Sequence, residues 1–166
     1  MSWIVGVVVA VAAERGLELA YALHNTRALR RRGAIECGRG HYPLLVALHA
    51  LWLAALLLLV PKETRPDAGL LVIFVGLQGL RLWIIASLGP YWTTRVLTLP
   101  AAPLVRRGPY RFMRHPNYLV VAAEIAVLPL AFGAWRIALG FSVANAALLA
   151  WRIRIEEQAL QPRRAL

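Results

Sequence analysis

The stretch Ala68-Gly69-Leu70-Leu71-Val72-Ile73-Phe74-Val75-Gly76-Leu77-Gln78-Gly79-Leu80-Arg81-Leu82-Trp83-Ile84-Ile85-Ala86-Ser87-Leu88 decides the fold class. It is apolar almost throughout, with Gln78 and Arg81 as its strongly polar members. A helix of about 20 such residues crosses roughly 30 Å of hydrocarbon. Backbone groups in lipid must be satisfied within their own segment, so a helix is expected and an open strand is not. Working outward, four more apolar stretches read the same way: about Trp3–Leu23, Pro43–Val60, Tyr118–Phe132 and Trp135–Ile153. The expectation is an all-α integral membrane protein, one domain over residues 1–166, with five transmembrane helices. The Tyr118–Phe132 span is short and carries Glu124 and Pro129, which predicts tilt or local thinning of the bilayer. Gly133 leaves a tight connection behind it, so the last two spans are expected to form a hairpin.

Composition agrees. The chain is 60% hydrophobic and 16% charged, with a mean hydropathy of +0.59. An ordinary soluble domain has roughly 45–50% apolar and about 25% charged residues. A soluble globule of this size cannot hide so much apolar surface, and the hydropathy excludes disorder and argues against a nucleic-acid arm. A single cysteine, Cys37, excludes an internal disulfide framework and a Cys-cluster metal site, and no metal is expected. Ala10-Val11-Ala12 resembles a signal-peptide cleavage site, but no basic residue precedes Trp3, so this segment is expected to stay as a span.

The charge of +11 comes almost entirely from arginine, with Lys62 the lone lysine. Arg27, Arg30, Arg31, Arg32 and Arg39 crowd the first connection; Arg95, Arg106, Arg107, Arg111 and Arg114 crowd the third; Arg154, Arg163 and Arg164 sit in the tail. The second connection is balanced and the fourth holds Arg136 alone. Basic connections stay cytoplasmic, which predicts the N-terminus outside and the C-terminus inside. Attraction to anionic headgroups accounts for most of the charge, with no need of nucleic acid or an obligate protein partner.

Polar residues inside spans are costly and therefore informative. Glu14, Glu18, Tyr21 and Asn25 form one stripe; His41 and Tyr42 begin the second helix, with His49 two turns beyond Tyr42 on the same face; Gln78 and Arg81 share a face of the third. Glu124 lies early in the fourth, and Asn145, Arg152 and Glu156 form a stripe on the fifth. In the expected orientation nearly all lie in the cytoplasmic half. Two readings follow: helix–helix glue, with Glu14, Glu18 and Glu124 paired to Arg81 and Arg152, or a polar pocket open to the cytosol.

Between the third and fourth spans lies Gly108-Pro109-Tyr110-Arg111-Phe112-Met113-Arg114-His115-Pro116-Asn117-Tyr118, and the last span ends in Arg152-Ile153-Arg154-Ile155-Glu156-Glu157. Arg-His-Pro-x-Tyr before a helical pair and paired glutamates after it resemble the isoprenylcysteine carboxyl methyltransferase family, whose superfamily includes phospholipid N-methyltransferases. Glu14-Arg15 with Glu18, Asn25, Gly33-Ala34-Ile35-Glu36, His41-Tyr42-Pro43 and Trp92-Thr93-Thr94-Arg95 are similar to a bacterial subgroup. One departure is Leu119-Val120, where many relatives carry glycine after the motif tyrosine.

The resemblance implies S-adenosyl-L-methionine as cofactor, in a site made by the loop 89–117 and the last two helices. Tyr110, Arg114, His115, Pro116, Tyr118, Arg152, Glu156 and Glu157 are the cofactor candidates. Arg114 and His115 suit a carboxylate. Glu156 or Glu157 suits ribose hydroxyls or an ammonium, and Tyr110, Pro116 and Tyr118 suit an adenine. The acceptor is expected to be lipidic: a long-chain polyketide such as an alkylpyrone or alkylresorcinol, or a prenylcysteine-type carboxylate. Glu14, Glu18, Asn25, Tyr42, Arg81 and Glu124 are its candidate contacts. A phenol or enol acceptor is helped by a base, for which His41, Glu36 and His49 are the candidates. Arginine dominance favours a bacterial source, hence the inner membrane. Two alternatives stay open: an NADPH-dependent reductase of a lipid enone, and a non-enzymatic lipid-binding bundle.

Overall fold

In the computed structural model, which describes residues 2–100, 102 and 104–161, the chain opens with a 29-residue helix, α1 (Trp3–Arg31). It continues well past Leu23, because residues 24–31 are helix-compatible and Arg30 and Arg31 in its last turn complement the helix dipole. Gly33, at φ 88°, then closes the end with its N–H on the Arg30 carbonyl. α2 (His41–Leu59) begins two residues before Pro43, which sits in the first turn where its missing N–H costs nothing. α3 (Ala68–Leu88) starts at Asp67, whose carboxylate accepts from the Leu70 N–H at 2.8 Å. α4 (Pro116–Ala131) begins at a proline preset for the first helical position. Gly133, at φ 69°, turns the chain into α5 (Trp135–Leu160), which packs against α4 and runs well beyond Ile153.

Among the described residues five α-helices form, and three are long and apolar enough to cross a membrane: His41–Leu59, Ala68–Tyr91 and Trp135–Leu160. The five-span expectation is met in part, for physical reasons. Pro116–Ala131 is apolar but spans only about 24 Å at 1.5 Å per residue. The first helix is long enough but carries Glu14, Arg15 and Glu18 in its middle. Apolar side chains such as Leu51, Leu58, Val72 and Val143 are exposed on these three membrane-length helices, which suits contact with acyl chains.

One pairing was not foreseen in the all-α reading. Ile35–Glu36 (β1) and Leu97–Thr98 (β2) make an antiparallel ladder, Ile35 opposite Thr98 and Glu36 opposite Leu97. The Cys37 N–H extends it to the Val96 carbonyl at 2.9 Å. This ties the first connection to the third. The main core, including Ile4, Trp52, Leu56, Ile125, Leu128 and Phe132, fills the end of the bundle that holds the start of α1 and the α4–α5 turn. Smaller clusters, Ala22 with Ile84, Trp92 and Val120, and Leu29 with Leu99 and Ala102, lie toward the arginine-rich end. Arg163 and Arg164 lie outside the described residues.

A short 3-10 turn, Gly108–Arg111, docks on the end of α3 through Gly108. At φ 57° a Cβ there would overlap Ser87 Oγ and come within 3.0 Å of Ser87 Cβ. Gly133 is also left-handed, but its surroundings are open. Gly108→Ala is therefore expected to lower the thermal midpoint in detergent clearly more than Gly133→Ala. Both pay about 1–2 kcal/mol for the backbone, and Gly108 alone must also displace α3. Equal midpoints for the two variants would refute the close approach.

Candidate active site

The ladder, the loop after α3 and the adjoining ends of α4 and α5 enclose a cavity of about 830 Å³. Leu29, Leu97 and Leu99 give it an apolar end, and Arg114, His115, Asn117, Tyr118, Arg152 and Glu156 a polar one. His115 precedes α4 and stacks on Tyr118, ring centroids 5.3 Å apart. Arg152 and Glu156 are one turn apart on α5 and so face the same way. Arg152 Nε donates to the Tyr118 hydroxyl at 2.8 Å, and that hydroxyl donates to Glu156. Arg152 also places Nη1 3.2 Å from His41 Nε2. His115 Nδ1 lies 3.9 Å from Glu156, and Glu157 lies 3.7 Å from both His115 Nε2 and Arg114. Tyr110 also lines the wall, and burial, then the nearby Glu156 charge, push its phenol above its ordinary value, so it stays neutral.

Six of the eight cofactor candidates line this cavity: Tyr110, Arg114, His115, Tyr118, Arg152 and Glu156. Pro116 is instead buried as the first residue of α4, and Glu157 stands half-exposed beside Arg114 and His115. The cavity also uses residues that were not singled out as site residues: Tyr91, Trp92, Thr93, Arg95, Arg106, Arg111 and Asn117. Thr93 and Arg95 were visible within Trp92-Thr93-Thr94-Arg95, and Asn117 is the variable position of Arg-His-Pro-x-Tyr. Arg106 and Arg111 carried no signal beyond topology.

The acceptor candidates are placed elsewhere. Glu18, Arg81 and Glu124 form a buried ion cluster with Arg15 and Gln78, joining α1, α3 and α4. Arg81 Nη2 reaches Glu18 at 2.7 Å and Arg81 Nη1 reaches Glu124 at 3.2 Å, while Glu14 sits 3.5 Å from Arg15. None of these four candidates is part of the cavity wall. Asn25 donates to the carbonyls of Gly89 and Trp92, at 3.1 and 3.0 Å, and so anchors the turn after α3. The Tyr42 ring lies under the Arg95 guanidinium at 4.4 Å.

Nor do the three base candidates converge on the cavity. His49 Nδ1 bonds the Leu45 carbonyl of its own helix at 2.8 Å. Glu36 is held by Arg95 at 2.6 Å and by Arg30, with Arg39 at 3.6 Å. Burial would raise its pKa, but the hydrogen bonds and charges of Arg95 and Arg30 outweigh it and hold the carboxyl below the ordinary 4.5. A carboxylate that gives up its proton so readily is a poor base and a good anchor for the ladder. Because the folded value is depressed, this anchor stabilises fully above pH 4.5 and is lost as the pH falls through the folded value. Glu36→Gln should be less stable than the parent at pH 7, with the gap shrinking in acid melts. A gap that widened in acid would contradict the placement.

Residues 70–162 match the sequence profile of the Isoprenylcysteine carboxyl methyltransferase (ICMT) family. The chain belongs to this family. The match begins in α3 and takes in the polar cavity wall and the whole of α4 and α5. Two bacterial proteins are similar over most of their length. The Bacillus subtilis (strain 168) uncharacterized protein YpbQ is 38% identical over 165 residues, 97% of each chain. An uncharacterized protein of Haemophilus influenzae (strain ATCC 51907 / DSM 11121 / KW20 / Rd) is 27% identical over 156 residues, 90% of each. No solved structure matches the chain. Membership in a methyltransferase family, an all-helical bundle and three membrane-length apolar helices agree in describing an integral membrane protein.

Proposed function

We propose that this protein transfers a methyl group from S-adenosyl-L-methionine to an oxygen of a lipidic acceptor, by in-line displacement at the cytoplasmic leaflet of a bacterial inner membrane. The observation that carries the reading is the polar cavity wall of α4 and α5, which falls inside the family match. The donor set fits the cofactor. Asn117 Oδ1 and His115 Nε2 are buried in that wall with no hydrogen bond from a described residue, Glu157 standing 3.7 Å from the Nε2. Buried polar atoms left so are costly unless a ligand or water completes them.

When bound, the cofactor supplies an electrophilic methyl group on a cationic sulfonium. Glu156, oriented by the Tyr118 hydroxyl, presents the negative charge that suits an ammonium or ribose hydroxyls, and Arg114 at the rim suits a carboxylate. Tyr110 and Tyr118 offer flat faces to an adenine. The chain's own contribution to rate is then positioning and the exclusion of water. The apolar end at Leu29, Leu97 and Leu99 would hold the first part of an acyl or prenyl chain entering from the leaflet. A carboxylate acceptor, as in a prenylcysteine, needs no base; the hydroxyl of an alkylpyrone or alkylresorcinol gives up its proton to solvent or a wall group. In this reading the N-terminus is outside, the C-terminus cytoplasmic and α4–α5 a hairpin, with lipids as the surroundings and neither nucleic acid nor an obligate protein partner involved.

Calorimetric titration of detergent-purified protein with S-adenosylhomocysteine, and in parallel with NADPH, tests the reading. Binding of the first alone is expected. Binding of NADPH alone would turn the site over to a reductase of lipid enones, and binding of neither by folded protein would favour a lipid-binding bundle.

A further inference from the structure

One buried titratable side chain beside the cavity has no part in the mechanism so far. His41 opens α2 and is 1% exposed. Its ring stands edge-on to Trp151, centroids 6.1 Å apart. Gly38, at φ 61°, closes over it: a Cβ there would lie 3.3 Å from His41 Nδ1 and 2.6 Å from the Ile155 side chain. The imidazole is thus wedged between the turn before α2 and the inner face of α5, with no room to swing.

Two hydrogen-bonding groups face the ring: Arg152, whose Nη1 lies 3.2 Å from Nε2, and the backbone of Gly38. A guanidinium donates at every nitrogen and accepts at none. Nε2 must therefore be the acceptor, which makes the ring neutral with its proton on Nδ1. The same guanidinium donates through Nε to the Tyr118 hydroxyl at 2.8 Å, which obliges that hydroxyl to turn its own proton to Glu156. Every proton in the series His41, Arg152, Tyr118, Glu156 then has one direction, fixed by the donor-only guanidinium, and His41 Nε2 holds that guanidinium in place. A ring whose lone pair is committed to Arg152, and which is not in the cavity wall, is unsuited to take a proton from an acceptor substrate.

We propose that His41 is a positioning residue: its Nε2 anchors Arg152 and, through Arg152, sets the Tyr118 hydroxyl and Glu156 carboxylate that face the cofactor cavity. The role rests on the methyl-transfer reading above. It also reaches beyond the family match, which begins at residue 70, and ties the first third of the chain to the site.

Two variants separate the role from simple packing. His41→Phe keeps a ring of similar size and removes the acceptor; His41→Gln places a carbonyl oxygen about where Nε2 stands. S-adenosylhomocysteine is the probe, titrated by calorimetry into each detergent-purified protein, with thermal midpoints recorded alongside. His41→Phe is expected to weaken binding about tenfold or more, the usual consequence of losing a hydrogen bond to a charged group. His41→Gln should restore it to within about threefold of the parent. Parent-like binding by His41→Phe, or a glutamine variant no better than phenylalanine, overturns the proposal. A second measurement does not depend on either variant binding ligand: nitrogen NMR of histidine-labelled parent protein, with the His41 signals assigned by their loss in His41→Gln. Nε2 is expected to be unprotonated, and a proton on Nε2 overturns the proposal. A folded parent protein that binds no S-adenosylhomocysteine would overturn the methyl-transfer reading itself, and the role assigned to His41 would fall with it.

Discussion

Arg81→Leu is expected to leave little folded protein after detergent extraction, and whatever survives should melt well below the parent. Arg81 is buried and grips Glu18 through two nitrogens and Glu124 through a third. Without it, Glu14, Glu18 and Glu124 have Arg15 as the remaining cation of the cluster. Removing one partner of a buried ion pair typically costs about 3–5 kcal/mol, because a carboxylate is left uncompensated. That is a large part of a whole domain's roughly 5–15 kcal/mol, and hydrocarbon offers the stranded charge no water. Arg81→Lys keeps the charge but cannot serve both carboxylates with one planar fork, so an intermediate loss is expected. Arg81→Leu combined with Glu18→Leu removes one charge of each sign and should recover part of the stability. Size-exclusion profiles and thermal midpoints of the three variants check the series. A stable Arg81→Leu single variant would mean that the cluster is not the clamp between α1, α3 and α4 and would reopen it as an acceptor site.

That series also decides between glue and pocket, the two readings that polar residues within the spans left open. The sequence shows how deep a polar residue lies along its helix, because rise per residue is fixed. It does not show which neighbouring helix it faces, because that depends on packing between segments far apart in the chain. Depth alone made Arg152 and Arg81 equal partners for Glu14, Glu18 and Glu124. Azimuth sends Arg81 to Glu18 and Glu124, and Arg152 to His41 and Tyr118. Arg15, flanked by Glu14 in sequence, bonds Gln78 and Glu124 from across the bundle. The ladder was hidden for another reason: two residues a side are too short to show any alternation. With it went the surroundings of Glu36, whose arginines come from α1, the following turn and the loop before β2. By contrast, the long apolar runs and the Arg-His-Pro-x-Tyr and Glu-Glu motifs are local. They were legible because helix length and i, i+4 facing follow from sequence spacing alone.

Glu156→Gln should weaken S-adenosylhomocysteine binding by roughly tenfold to a hundredfold while the protein still purifies and melts near the parent. Among the described residues lining the cavity, Glu156 is the sole acid, set among Arg95, Arg106, Arg111, Arg114 and Arg152. A ligand that carries an ammonium finds its one counter-charge there. Glutamine is close to isosteric and can still accept from the Tyr118 hydroxyl, so the substitution removes charge more than shape. Charge-assisted hydrogen bonds contribute about 1.5–3 kcal/mol, and each 1.4 kcal/mol is about tenfold in affinity. Arg114 sits differently. Its side chain is 73% exposed, and its ion pair with Glu157 is long at 3.7 Å. Exposed pairs of this kind contribute roughly 0–1 kcal/mol, so Arg114→Ala is expected to weaken binding by less than about fivefold. Both variants titrated side by side give an ordering that absolute affinities would not. If Arg114→Ala loses more than Glu156→Gln, the ligand is held at the rim by its anionic end, and the Glu156 carboxylate has another task.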